Sequence, residues 1–253
     1  MRAPVKVLIE NLAVEPYASV LCYPRASETE LESRIEELRE HGVDAVEFTG
    51  EASAFNVPVL GKGFVGIVVT AHLGEEKVAL KIRRVDADRT GLEHEAQMLA
   101  KANSVQVGPR LIGVSKNCLL MQLVEGFLLP QWLNAHKDKD QMHYVLGEVL
   151  EQCWRLDSIN LDHGELSKAL KHIIISKPQE PFIVDFETAS VDRKPSNVTS
   201  MCQFFFTGHG VVAKAVAKVL GEVNRAEVIK VLRFYKNERK RKNFDCVLRV
   251  CLG

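Results

Sequence analysis

Residues Val59–Arg84 read VLGKGFVGIVVTAHLGEEKVALKIRR, and how this stretch is read decides the fold. Gly61, Gly63 and Gly66 stand at G-x-G-x-x-G spacing, and Val65, Ile67, Val68, Val69 and Thr70 around and after them are strand formers. A turn follows at Leu73-Gly74-Glu75-Glu76, then an apolar strand carrying one lysine, Lys81. The pattern predicts a phosphate cradle on a β-hairpin, with a lysine delivered by the next strand. A glycine-rich hairpin without chemistry is the plain alternative. A dinucleotide fingerprint would need a helix opening at the glycines, and a P-loop would need Gly-Lys followed by Ser or Thr. Here Lys62 is followed by Gly63, and no crossover helix separates the glycines from Asp86, which stands about where a ribose-binding acid would.

Upstream, Val5–Ile9 has strand character, and Ser27-Glu28-Thr29-Glu30 has capping-box spacing, predicting reciprocal Ser and Glu bonds to orphan amides. The helix it opens carries Leu31, Ile35 and Leu38 and ends at Gly42; Val43–Phe48 then reads as a strand. From Asn56 to Arg84 three strands are expected. Residues 88–102 read as a helix with Leu92, Ala96 and Leu99 on one stripe, and Glu95 falls on that stripe. A carboxylate facing a core is costly unless paired, and Lys81 is its natural partner; a Glu at the stripe edge reaching water is the alternative, and Glu93 points elsewhere. Two further strands, Pro109–Val114 and Cys118–Val124, lead to Glu125-Gly126, the end of a sheet lobe and a hinge. Beyond it a helix over 139–159 has Leu146, Val149, Leu150, Cys153 and Leu156 as its stripe. Helices over 196–206, 211–220 and 225–239 complete the chain, the last capped by Asn224 and ending in the basic run 236–242.

Composition excludes several classes. Lys+Arg and Asp+Glu both number 33 in 253 residues, so no global charge points to nucleic acid or membrane. No run of about 18 apolar residues exists to span a bilayer, and Glu10 and Glu15 interrupt the N-terminal apolar stretch, which predicts a cytoplasmic chain without leader or anchor. The six cysteines are scattered without a C-x-x-C pair and read as reduced, packed thiols. The basic run reads as a solvated helix end complementing the dipole, with a phosphate-backbone contact as the alternative.

The chemical cluster comes late. Asp162-His163-Gly164-Glu165-Leu166-Ser167 precedes His172-Ile173-Ile174-Ile175, and Ile183-Val184-Asp185-Phe186-Glu187 follows. An acid directly after an apolar strand is well placed to hold a metal, although Asp185 alone would pass for a turn acid. Its position downstream of the glycine loop and Lys81 favours the metal.

Taken in order, LGKGFVGIVV, ALKIRR, LEHEAQML, LLMQLVEG, DHGELS, HIII, IVDFETAS and RKPSNVTS resemble the predicted archaeal serine/threonine protein kinases, which are related to RIO-type and lipopolysaccharide-kinase-type enzymes. The glycines and Ala79-Leu80-Lys81 match the kinase pattern G-x-G-x-x-G-x-V followed by A-x-K. The resemblance covers roughly residues 40–205 and implies an α+β, protein-kinase-like two-lobe fold: an antiparallel-sheet N-lobe and a short helical C-lobe. The expected divisions are an α/β extension over 1–54 packed on the N-lobe, the N-lobe over 55–125, and a reduced C-lobe over 126–253.

The resemblance also implies roles. The loop Gly61, Lys62, Gly63, Phe64 and Gly66 covers the ATP phosphates. Lys81 holds them and pairs with Glu95, Val68 and Ala79 belong to the same nucleotide site, and Met121, Gln122 and Val124 supply an adenine-receiving hinge. Asp185 binds Mg²⁺. The family's catalytic Asp and its metal-binding Asn five residues later are replaced: Glu165 stands for the Asp, and Leu170 lies five residues on. Aligned from Asp185, His172 takes the Asn position, which puts two extra residues in the loop. Glu165 is thus the expected base, Asp162 its reserve, and His172 a poor ligand for a hard cation. The function implied is an atypical serine/threonine protein kinase acting on a protein hydroxyl. The competing reading is a nucleotide-binding pseudokinase, or an ATPase-type switch on a ribonucleoprotein, with RNA contact through the basic run.

Overall fold

The computed structural model describes residues 3–253. The chain forms two compact units, one of residues up to Gln97 with Arg110–Leu123, the other of Met98–Pro109 with Val124–Gly253.

In the first unit the elements run β1 (Val5–Leu8), α1 (Tyr17–Leu21), α2 (Glu28–Glu40), β2 (Ala45–Phe48), β3 (Ala52–Ala54), β4 (Val57–Val59), β5 (Gly61–Lys62), β6 (Gly66–Leu73) and β7 (Glu76–Arg83). Next come α3 (Glu93–Asn103), whose last residues fall in the second unit, β8 (Leu111–Val114) and β9 (Cys118–Gln122). The main sheet is ordered β1-β2-β6-β7-β9-β8, with β5 also on β6 and every pairing antiparallel. The segment expected as three strands is four, because Leu60 and the turn at Gly63–Val65 interrupt the run.

Strand alternation sorts the two faces. Ile67, Val69, Ala71, Val78, Leu80 and Ile82 join Phe48, Leu38 and Leu21 in the main core. Lys81 therefore points to the other face, where Val65, Leu92, Ala96 and Leu119 form a smaller cluster. Ser27 Oγ accepts from the Glu30 amide, but the Glu30 carboxylate serves Arg34 Nε at 3.1 Å, so half of the expected capping box is built. Gly42, at φ +71°, closes α2 with amide bonds to Arg39 O and from Val43 to Leu38 O. Arg34 is fully buried and donates to the carbonyls of Leu21 and Arg83. It thereby ties α2 to the end of the strand that carries Lys81.

The second unit holds β10 (Gly126–Leu128), α4 (Leu129–Ala135), α5 (Lys139–Ser158), β11 (Ile173–Ser176), β12 (Pro181–Ile183), α6 (Asn197–Cys202), α7 (Val211–Leu220), α8 (Arg225–Asn237) and α9 (Arg241–Leu252). Met142, Val145, Leu146, Val149, Leu150, Cys153 and Leu156 of α5 are all fully buried, a stripe at helical spacing. Gln152 fixes α5 to β12, donating to Pro181 O at 2.6 Å and accepting from the Ile183 amide. This sets the strand from which Asp185 projects.

Two helical expectations need correction. The helix over 196–206 is α6 followed by a wider turn over Gln203–Thr207. The basic run does not end the last helix: α8 breaks at Glu238, whose carbonyl accepts from Asn243 Nδ2, and α9 follows with Phe244, Val247 and Cys251 buried. Among the described residues no helix is long and apolar enough to cross a membrane. All six cysteines are free thiols and only Cys246 is exposed. Burial pushes the Cys118 thiol up to about 12 and raises that of Cys153 as well.

Candidate active site

The glycine stretch folds as a hairpin with a two-residue tip, Phe64-Val65, closed by the Gly63 amide on Gly66 O at 2.8 Å. Arg84 braces it from behind, donating to Gly63 O at 3.0 Å while its guanidinium pairs with Asp86 at 2.8 Å. That pairing accounts for Asp86 without a ribose. Lys62 Nζ sits 5.3 Å from the centre of the Tyr23 ring, and Phe64 at the tip is 92% exposed. The three glycines are not equivalent. A Cβ on Gly66 would meet Ile82 O at 2.9 Å and Lys81 Cγ at 3.0 Å, so the lysine stem crosses where only glycine fits. A Cβ on Gly61 or Gly63 would meet nothing of this chain closer than 3.7 Å. The chain's own packing does not demand those two.

Lys81 Nζ lies 2.7 Å from Glu95 Oε2, and both side chains are more than nine-tenths buried. The stripe on α3 explains it: Leu92 and Ala96 face the sheet and carry Glu95 inward with them. The reading in which Glu95 reaches water is excluded. Val68 pairs with Lys81 across β6–β7, and Thr70 pairs with Ala79, which in turn pairs with Met121. Of the expected hinge, the Gln122 amide donates to Arg110 O and its side chain accepts from the Arg110 amide, so Gln122 is engaged within the sheet edge. The chain passes between units after Leu123.

In the second unit, Glu165, His172 and Asp185 converge. His172 Nε2 stands 3.1 Å from Glu165 Oε2 and 3.8 Å from Asp185 Oδ2, and the three ligand atoms lie within 4.8 Å of one another. His172 and Val184 extend the β11–β12 ladder by one step through the Val184 amide on His172 O. Asp185 follows at φ +69°, a left-handed conformation that L side chains adopt at a cost of about 1–3 kcal/mol and that clusters at functional sites. Leu170, five residues after Glu165, is 45% exposed and does not take part.

The loop bearing Glu165 is clamped by residues of IVDFETAS and RKPSNVTS whose part in it the motifs did not reveal. Asp162 pairs in both directions with Ser190 through the backbone, and its carboxylate accepts from Arg193 Nε at 3.0 Å and from Ser196. Its oxygens, in the residue expected as the reserve base, are engaged in holding the loop. Gly164, at φ +92°, packs against Arg193 and Thr188 where a Cβ would lie 2.6 Å from the guanidinium. His163 is fully buried, with Nε2 3.1 Å from Val184 O and its ring against Phe186 and His172. Burial lowers its pKa to about 4, so the ring is neutral at pH 7. Beneath it, Asp157 accepts from the Asn197 amide and side chain and from Tyr235 Oη at 2.8 Å, while Asn197 Oδ1 receives the His163 amide. Burial raises the Asp157 carboxyl against those donors.

Comparison with known proteins now adds the family. The pattern of one family, the RIO domain, matches residues 70–202, just over half of the chain. The chain belongs to the RIO domain family. The matched stretch includes Lys81, Glu95, the hinge, Glu165, His172 and Asp185 and begins beyond the glycines. RIO domain proteins are atypical kinases that bind ATP, and the antiparallel sheet of the first unit with the helical second unit is consistent with that fold. An uncharacterized protein of Methanocaldococcus jannaschii is 26% identical over 103 residues, covering 41% of this chain and 85% of the relative.

Proposed function

We propose that this RIO domain chain is an ATP-dependent phosphotransferase acting on serine or threonine hydroxyls of a protein. The observation that carries the reading is the buried Lys81–Glu95 ion pair, which fixes an ammonium on the sheet face reached past Gly66. In this reading amides of Gly61–Gly66 and Lys81 hold the ATP phosphates. The clearance at Gly61 and Gly63 suits close approach of a phosphate. Val68, Ala79 and Phe64 enclose the nucleotide, and Met121 and Val124 receive adenine through the backbone. Asp185 would hold the divalent cation, Mg²⁺ in the family's pattern, which would offset charge developing on the phosphates. Glu165 orients the acceptor hydroxyl. The hydroxyl oxygen attacks the γ-phosphorus, the bond to the β–γ bridging oxygen breaks, ADP leaves, and the hydroxyl proton passes to Glu165. The division into an extension over 1–54, an N-lobe over 55–125 and a C-lobe over 126–253 belongs to the same reading.

One observation favours a nucleotide-binding pseudokinase or ATPase-type switch instead: Glu165 is already engaged by His172, where the family pattern has Asp and Asn. RNA or ribonucleoprotein contact through the basic run has less support. Lys240 and Lys242 lie on Glu238, and Arg241 on Glu151 and Asp245. Incubation with ATP labelled at the γ-phosphate, beside Lys81→Ala, Glu165→Ala and Asp185→Ala, decides the matter. Transfer to a protein acceptor by the wild type alone supports the kinase. Nucleotide binding without transfer or hydrolysis leaves the scaffold, and absence of nucleotide binding removes both.

A further inference from the structure

The family pattern places oxygen ligands at the metal, and this chain places a histidine there. Mg²⁺ demands near-octahedral oxygen donors at about 2.1 Å, and Asp185 and Glu165 suit it while His172 does not. Imidazole nitrogen is instead a good ligand for first-row transition dications, whose affinity for mixed nitrogen and oxygen sites exceeds that of magnesium.

The positions of the three groups fit a single ion. Adjacent ligand atoms around an octahedral cation at about 2.1 Å stand about 3 Å apart. His172 Nε2 and Glu165 Oε2 are 3.1 Å apart, and Asp185 Oδ2 reaches the same nitrogen at 3.8 Å. Each group is held by a different local device: His172 by the ladder step to Val184, Asp185 by its left-handed backbone, and Glu165 by the turn at Gly164. The His172 ring is further packed against His163, at 5.5 Å between ring centres. All three ligands belong to the second unit.

We propose that Glu165, His172 and Asp185 form one mixed nitrogen–oxygen cation site that takes a first-row transition dication such as Mn²⁺ in preference to Mg²⁺. The proposal deepens the phosphotransferase reading, and its consequence there rests on that reading: the ion that meets the phosphates is manganese-like, and Glu165 lends Oε2 to it while Oε1 serves the acceptor hydroxyl. The binding itself requires no nucleotide.

The test uses the full chain, stripped of metal by chelation and without nucleotide. Titration with Mn²⁺, followed by electron paramagnetic resonance, is expected to show one bound ion with ¹⁴N coupling from an imidazole. Mg²⁺ displaces it only at about 10-fold or greater excess. In His172→Asn, which substitutes a carbonyl oxygen, the ¹⁴N coupling disappears and the preference for Mn²⁺ collapses towards parity. In Glu165→Gln the coupling persists while Mn²⁺ binds at least about 10-fold more weakly. Mn²⁺ bound without ¹⁴N coupling, Mg²⁺ competing on equal terms, or a coupling that survives His172→Asn in a folded variant overturns the proposal. Nucleotide binding is measured in parallel on the same preparations. Loss of nucleotide binding with the manganese site intact refutes the phosphotransferase reading alone, and the reverse refutes the cation site alone.

Discussion

The Lys81–Glu95 pair makes a specific demand on stability. At 2.7 Å and with side chains 7% and 5% exposed, the two charges have exchanged most of their hydration for each other. At an effective dielectric of about 20 the gross attraction is about 6 kcal/mol, most of it offset by desolvation. Removing one partner is different, because the other stays buried without this ion pair, at about 3–5 kcal/mol. Lys81→Met takes the ammonium from a buried carboxylate, and Glu95→Leu takes the carboxylate from a buried ammonium. Each is expected to lower the melting midpoint of the first unit by about 12–20 °C, taking about 4 °C per kcal/mol for a unit of this size. The double variant, two apolar side chains in place of two charges, is expected to recover most of the loss, with a coupling energy of at least about 2 kcal/mol. Urea unfolding followed by circular dichroism reports this, with the two units fitted as separate transitions and tryptophan fluorescence marking the second, which holds both Trp132 and Trp154. ATP binding, measured by calorimetry, should fall in all three variants, including the restabilised double one. That split separates the structural role of the pair from the role of the lysine at the phosphates. If each single variant stays within about 1 kcal/mol of the wild type, the pair behaves as a solvated surface contact and the reasoning from burial is wrong.

Two other predictions are independent of the pair. Gly66→Ala forces a methyl into Ile82 O and the Lys81 stem, so it should cost about 1–3 kcal/mol and weaken ATP binding, whereas Gly63→Ala should fold normally; equal stability losses in the two would refute the close approach at Gly66. His163 has a folded pKa near 4, depressed below its unfolded value by burial. Below pH 6.5 the unfolded chain gains a proton that the native ring refuses, so stability is full above that value and falls by on the order of 3 kcal/mol as the pH drops to 4. His163→Leu loses the bond to Val184 O yet should flatten the profile in that window, and an unchanged slope in chelator-treated samples would place the titration elsewhere.

What sequence can disclose here follows from the range of each interaction. Periodicity identifies which face of an element is buried, and that was enough for the α5 stripe and for Glu95 on the inner face of α3, while glycine spacing and strand formers were enough for the glycine hairpin. Helix α9 carried the same kind of signal in Phe244, Val247 and Cys251, but the charges at Arg239–Lys242 masked its start. Periodicity says nothing of the partner on the other side. Asp157, Asn197 and Tyr235 meet across 40 and 78 residues of chain, and each alone reads as an ordinary polar or aromatic helix residue. The same limit explains Asp162, whose place beside His163-Gly164 suggested chemistry until Arg193 and Ser196, more than thirty residues away, were seen to hold it. It also explains His172. Read along the chain, it is only a failed asparagine. In space its Nε2 faces two carboxylates that no spacing rule would join to it, and on the cation proposal the departure from the family pattern is a change in the ligand set of one site. The two residues that depart from that pattern, Glu165 and His172, lie 3.1 Å apart. Both carry atoms that can ligate a metal and both face the same acid, which is why the proposed cation, more than the missing Asp, is the feature of this loop to test.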